Sequence, residues 1–170
     1  AMSAFLDNLQ ADDIAPILKD LGIDEIDHDK WYPHQLWFDI LKELDNRMGD
    51  SASQTFVAFG KQVVKTAIMP PEIQSIPDVL NALHAIHHAN LRNIPESEGY
   101  ALQQLDDQKY IVYQNTPNPN DAIFGFLWGL AARFKESDER FVVRQVSREE
   151  YNKHAGSPFL VEWWSKGERQ

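Results

Sequence analysis

Apolar residues in the first half of the chain recur every three or four positions, which is the spacing of one face of an α-helix. The clearest case lies between residues 34 and 48, where Leu36, Ile40 and Leu44 lie one turn apart. The same spacing predicts three further helical segments, over residues 4–21, 51–68 and 76–91. Pro16 can divide the first of these, and glycine or proline follows each segment as a stop signal.

After residue 95 the pattern changes to short runs rich in aromatic and β-branched residues, which favour strands. The predicted strands span residues 99–102, 109–114, 141–146 and 158–164, with an apolar helix over residues 122–134. Helices followed by a hairpin, a helix and a second hairpin predict an α+β fold with an antiparallel sheet that one helix interrupts. We expect a single domain over residues 1–170, mainly helical over 1–95, with the sheet and one helix over 96–170.

The composition is that of a globular protein, with 43% hydrophobic and 25% charged residues. The chain contains no cysteine, which excludes disulfides, zinc–thiolate sites, iron–sulfur clusters and cysteine nucleophiles. A net charge of −10 opposes binding to nucleic acid and to anionic membrane surfaces. No apolar run approaches the roughly 18 residues of a membrane span, and no signal peptide is visible, so we expect a cytoplasmic protein.

Sequence motifs typical of enzymes are missing. The chain has no Gly-x-x-x-x-Gly-Lys or Gly-x-Gly-x-x-Gly loop to hold phosphate, and no Gly-x-Ser-x-Gly elbow to present a nucleophile. Its carboxylates are dispersed, which is typical of a solvated face. We therefore expect a non-enzymatic domain that binds a small apolar ligand or a partner protein, and its aromatic residues would allow a homodimer.

The fourth predicted helix carries an unusual group of histidines, His84, His87 and His88. His84 and His88 lie one helical turn apart, so they could hold a divalent metal with a third ligand. One imidazole facing an apolar cavity could instead be an axial ligand of haem iron. The third interpretation is that these histidines have only a structural role or are simply exposed. A small rotation of the helix would exchange the face of His84 for that of His87.

The run from Leu80 to His84 lies within a long helix, and a strand, Tyr110-Ile111-Val112-Tyr113, a polar loop and the apolar Gly125 helix follow. Phe59-Gly60-Lys61 lies in the helix that precedes the one carrying His84. This pattern resembles the haem nitric-oxide/oxygen-binding (H-NOX) domain and its superfamily, which includes vinyl-reductase-type domains and small TRAPP subunits. The resemblance covers residues 32–146. It implies an H-NOX-like fold with a cavity between the helical part and the sheet.

The resemblance places His84 at the position of the proximal iron ligand. Haem-binding members also carry a Tyr-x-Ser-x-Arg motif that holds the propionates, and here Tyr113, Asn115 and Pro117 stand at its three positions. Proline has no donor to replace the bidentate guanidinium. We therefore expect a haem-free binding domain of the sensor and signalling type. The alternatives are a haem gas sensor that uses His84, Tyr113 and Asn115, and a divalent-metal-binding protein that uses His84 and His88.

Overall fold

The computed structural model of this protein describes residues 11–24, 27 and 30–167, and four helices form the first part of what it describes. They are α1 (Ala11–Asp20), α2 (His34–Met48), α3 (Ala52–Thr66) and α4 (Ile76–Asn90), with a 3-10 turn at Gly49–Ser51 before α3. Helix α1 continues through Pro16, so the proline does not divide it. Residues 4–10 of the first predicted helix lie outside the described residues.

Helix α4, which carries the histidines, begins with a capping box. The Ser75 hydroxyl accepts a hydrogen bond from the backbone N–H of Asp78 at 3.3 Å, and the Asp78 carboxylate accepts one from the N–H of Ser75 at 3.0 Å. The Ser75 hydroxyl also donates to the Asp78 carboxylate at 2.6 Å, and this bond is the largest cause of the lowered pKa of Asp78. The N–H groups of Ser75 and Asp78 would otherwise lack an intrahelical partner, so the box defines where α4 starts.

We expect Ser75→Ala to lower the free energy of unfolding by about 1 kcal/mol, because it removes the N-cap acceptor of α4. Ser51 is the matched control, since it occupies the N-cap of α3 and makes no side-chain capping bond. Urea denaturation of both variants would check this. An equal loss in Ser51→Ala would show that the Ser75 cap contributes nothing particular.

The second part is a four-stranded sheet built from β1 (Gly99–Asp106), β2 (Lys109–Asn115), β3 (Glu139–Gln145) and β4 (Ser157–Ser165). Its strand order is β1-β2-β4-β3 and every neighbouring pair is antiparallel. Helix α5 (Asn120–Phe134) separates the two hairpins. The predicted α+β class is confirmed. Strand β1 runs four residues further than predicted because it pairs with β2 as far as Asp106 and Lys109.

Helices α4 and α5 pack against one face of the sheet and form the main core with it. The residues of this core that are most deeply buried are Val79, Leu83, Val112, Leu127, Leu130, Phe159 and Val161. A smaller core joins α1, α2 and α3 to Ala122 at the start of α5. Ile111, Tyr113 and Leu160 face the other side of the sheet, where Val146 and Tyr151 of the β3–β4 connection pack on them.

Helices α3 and α5 cross with their backbones almost in contact. A Cβ atom on Gly60 would lie 2.1 Å from the carbonyl oxygen of Ala122, and one on Gly125 would lie 2.1 Å from that of Val57. Arg133 of α5 also donates to the carbonyl of Val64 at 2.6 Å and to that of Ala67 at 2.8 Å, so it satisfies groups at the end of α3. The mid-helix glycines are therefore required by this crossing.

None of the helices in the described residues has the length and apolar character needed to cross a lipid bilayer.

Candidate functional site

The three histidines of α4 all face the segment that leads into β1. The backbone N–H of Tyr100 donates to Nδ1 of His84 at 3.3 Å. Nε2 of His88 lies 2.8 Å from the carbonyl oxygen of Glu98, and Nε2 of His87 lies 3.2 Å from the Glu98 carboxylate. The ring centres of His84 and His88 are 4.4 Å apart. We call His84, His87 and His88 the histidine cluster.

These partners determine where each neutral ring carries its proton. A carbonyl or carboxylate oxygen only accepts, so His87 and His88 must donate from Nε2. Nδ1 of His84 accepts a backbone N–H, so the proton of that neutral imidazole is on Nε2. The lone pair of His84 that a metal would need is therefore already used at Nδ1, and Nε2 presents a proton.

Gly99 allows the histidine cluster to approach the strand so closely. Its φ is +139°, and a Cβ atom there would lie 2.6 Å from Nδ1 of His84 and 3.5 Å from Cδ2 of His87. Both the backbone conformation and the space require glycine. The sequence predicted only that Gly99 begins a strand.

The His87–Glu98 pair is largely shielded from solvent, with exposed side-chain fractions of 10% and 16%. Burial lowers the pKa of His87, and this exceeds the opposing effect of the Glu98 carboxylate. His87 is therefore neutral at pH 7, and its bond to Glu98 at that pH is a hydrogen bond rather than a full ion pair.

Acidification should destabilise the fold through His87. Its folded-state pKa lies below the ordinary value of 6.5, so the unfolded state binds the proton first as the pH falls. The contribution of His87 is fully present above about pH 6.5 and is lost as the pH falls toward the lowered folded-state pKa. The free energy of unfolding, measured from about pH 8 to 5, should fall less steeply in His87→Gln than in the wild type. Identical slopes would contradict this assignment.

Tyr113 and Asn115, the candidate propionate donors, are bonded within the protein. The Tyr113 hydroxyl donates to Oε1 of Gln103 at 2.7 Å, and its fully buried ring packs edge-on against His154 at 5.1 Å. The Asn115 amide donates to the carbonyl of Ser97 at 2.7 Å. Asn115 and the histidine cluster thus hold the same short segment, whereas Tyr113 belongs to the opposite side of the sheet.

The loop between β2 and α5 is organised by Gln114, the buried polar residue among those described. Its amide donates to Oδ1 of Asn120 at 2.9 Å, and its Oε1 accepts from both the N–H and the hydroxyl of Thr116 at 3.0 and 2.8 Å. Asn118 of this loop accepts from Nε1 of Trp37 in α2 at 2.9 Å. The role of Gln114 was not predicted from the sequence, although a glutamine that follows four apolar strand residues was the available signal.

A cleft of about 740 Å³ lies beside this loop. Its apolar floor includes Phe38, Leu41 and Phe56, and its carboxylates come from Asp39, Asp45, Asp50 and Asp121. Pro117 lines it, but no residue of the sheet does. This cleft therefore does not lie at the expected position, between the helical part and the sheet. It lies between α2, α3 and the loop before α5.

A haem group does not fit the described donors. Nδ1 of His84 accepts a backbone hydrogen bond, which leaves the ring proton on Nε2, the two propionate donors are engaged elsewhere, and Pro117 offers no donor. Nor do the described residues bring three histidine or acidic side chains together as metal ligands. The site as described is a histidine cluster bonded to the Tyr100 N–H and to the carbonyl and carboxylate oxygens of Glu98.

Comparison with known proteins places the fold. No protein-family profile and no curated protein sequence matches the chain. Solved structures do match, among them an oxygen-binding H-NOX domain related to soluble guanylate cyclases, with a TM-score of 0.68 and 14% identity over 95% of this chain and 89% of that one.

Two Shewanella proteins give the same result. The H-NOX protein of S. oneidensis in its Fe(II)NO state matches with a TM-score of 0.66 and 12% identity, covering 96% of this chain and 94% of that one. The H-NOX of S. woodyi in its Fe(II)CO state, bound to IWP-051, matches with a TM-score of 0.58 and 18% identity, covering 95% and 89%. The predicted resemblance is confirmed, and this chain has an H-NOX-like fold.

Proposed function

We propose that this chain is a haem-free, non-enzymatic binding domain of the sensor type, in which the histidine cluster holds α4 against β1 in place of an iron–histidine bond. The observation that carries the proposal is the hydrogen bond from the Tyr100 N–H to Nδ1 of His84. Ligation of iron through Nε2 would require the ring proton to move to Nδ1. Two N–H donors would then face one another at 3.3 Å, which costs the hydrogen bond and leaves a donor unsatisfied.

The surroundings of Pro117 also support a haem-free state. Two propionates are stabilised by charge-assisted donors, and the guanidinium that supplies them in the H-NOX motif is replaced here by proline. The cleft beside Pro117 is lined by four aspartates and by Lys42. Carboxylates near an anionic group raise its free energy, so this surface disfavours propionates.

The same cleft is a candidate ligand site. Its volume of about 740 Å³ lies in the range of small-molecule sites. An apolar floor with an acidic rim favours an apolar ligand that is neutral or carries a cationic group, or an equivalent side chain of a partner protein. Cytoplasmic location and homodimerisation stay predictions.

We expect no His84-dependent Soret band after hemin is added to the purified protein. The absorption spectrum of the wild type should show only weak, unspecific hemin binding, and His84→Ala should leave that spectrum unchanged. The same spectrum is recorded for Pro117→Arg, which restores the guanidinium of the motif and leaves the histidine cluster unchanged. A sharp Soret band that disappears in His84→Ala would refute the proposal and support the haem gas-sensor alternative.

The metal-binding alternative has its own measurement. Zn²⁺ or Ni²⁺ that bound His84 and His88 would raise the melting temperature, and His88→Ala would remove the increase. An unchanged melting temperature in the wild type is the result that our proposal predicts, since Nε2 of His88 donates to Glu98.

A further inference from the structure

Cationic and aromatic side chains surround a concavity of about 540 Å³ at the C-terminal end of α5 and the adjoining ends of β3 and β4. Its aromatic walls include Trp128 of α5 and Phe141 of β3. Its cations are Lys135, Arg140 and Lys166. We call these five residues the basic aromatic surface.

Trp128 is exposed and yet held in place. Its exposed fraction is 37%, although the neighbouring residues of α5, Leu127 and Gly129, are buried. The Lys61 ammonium lies 4.0 Å from the centre of its ring, and Phe141 packs edge-on at 5.3 Å. A large ring that is already ordered loses little conformational entropy when a second molecule covers it, which is typical of aromatic anchors in interfaces.

The charge of this surface is opposite to that of the whole chain. The concavity has three cationic residues and one acidic residue, Glu139, whereas the chain carries a net charge of −10. The Glu139 carboxylate accepts a hydrogen bond from the N–H of Glu136 at 2.8 Å, so it is turned toward its own loop. Ion pairs among the described residues involve Lys30, Arg47 and His87, and not the three cations here.

We propose that the basic aromatic surface docks an acidic segment of a partner protein that carries one large apolar side chain. The apolar side chain packs on Trp128 and Phe141, and flanking carboxylates pair with Lys135, Arg140 and Lys166. A short acidic segment suits this site better than nucleic acid, since the long phosphate backbone would also meet the acidic remainder of the protein. The proposal goes beyond the function proposed above and does not depend on whether haem binds.

The test uses a fluorescein-labelled peptide with acidic residues on both sides of a central phenylalanine, and a matched peptide with lysine at every acidic position. Fluorescence anisotropy with the full chain measures each Kd. We expect the acidic peptide to bind and the double variant Arg140→Glu/Lys166→Glu to weaken binding at least about tenfold. Trp128→Ala should weaken it as well, which a purely electrostatic attraction would not show.

The control is Lys19→Glu/Lys153→Glu, which changes the net charge equally at two exposed lysines outside this surface and outside the cleft beside Pro117. It should alter Kd less than about twofold, apart from the long-range effect of charge. An equal loss in this control, equal binding of the lysine peptide, or no binding of the acidic peptide would each overturn the proposal. Tighter binding of a single-stranded oligonucleotide or of anionic vesicles would overturn it too. Circular dichroism of each variant excludes unfolding as the cause.

Discussion

Replacing Gly125 by alanine should destabilise the protein by about 3 kcal/mol, because the added methyl group meets the backbone of α3. The new Cβ would lie 2.1 Å from the carbonyl oxygen and 2.8 Å from the carbonyl carbon of Val57. Both are backbone atoms of α3, so no side chain can rotate away and the two helices must separate. Separation would open the smaller core at Ala122 as well as the crossing itself.

Gly129 of the same helix provides the matched control. Its added Cβ would lie 3.1 Å from a methyl group of Val64 and 3.2 Å from the Cα of Lys61, which requires only a small shift. Alanine is also favoured over glycine within a helix by about 1 kcal/mol. Gly129→Ala should therefore cost much less than Gly125→Ala in guanidinium denaturation. Equal stability of Gly125→Ala and the wild type would show that α3 and α5 do not cross this closely in solution.

Gly99→Ala should also be severe, with a loss of about 2 kcal/mol or more, because it combines backbone strain with a clash. The φ of +139° is disfavoured for alanine, and its Cβ would lie 2.6 Å from Nδ1 of His84. The variant should also break the Tyr100–His84 hydrogen bond and free α4 from the segment before β1. It therefore tests the histidine cluster without changing a histidine.

A double-mutant cycle with His84→Ala separates the two causes. Removing the imidazole removes the clash but leaves the strain, so the two substitutions together should cost at least about 1 kcal/mol less than the sum of their separate effects. Gly22→Ala reports the cost of a positive φ alone, since φ there is +74° and nothing lies within 4 Å of the added Cβ. Strict additivity in the cycle would mean that His84 does not lie against Gly99. Hydrogen exchange of the Tyr100 amide gives an independent measure of the same contact.

The order of helices and strands could be predicted from the sequence, since it depends on local periodicity and stop signals. The H-NOX-like resemblance was carried by particular residues, above all the helix that contains His84 and the strand that ends with Tyr113. The boundaries of α2 were predicted to the residue, because Pro33 and Gly49 flank an amphipathic run. Loss of the motif arginine was equally visible, because it depends only on Pro117 standing two positions after Asn115.

The tertiary structure alone decided the role of the histidines. Helical spacing places His84 and His88 on one face, but the strand that this face meets is set by how α4 packs on the sheet. That packing brings Glu98, Gly99 and Tyr100 within reach, so that His84 and His88 bond the backbone and His87 bonds the Glu98 carboxylate. Likewise, the contact of Gly125 with the backbone of α3 depends on a residue more than 60 positions away, which local sequence does not reveal. Local sequence determines which face of an element is apolar or polar, and only the assembled fold determines what that face meets.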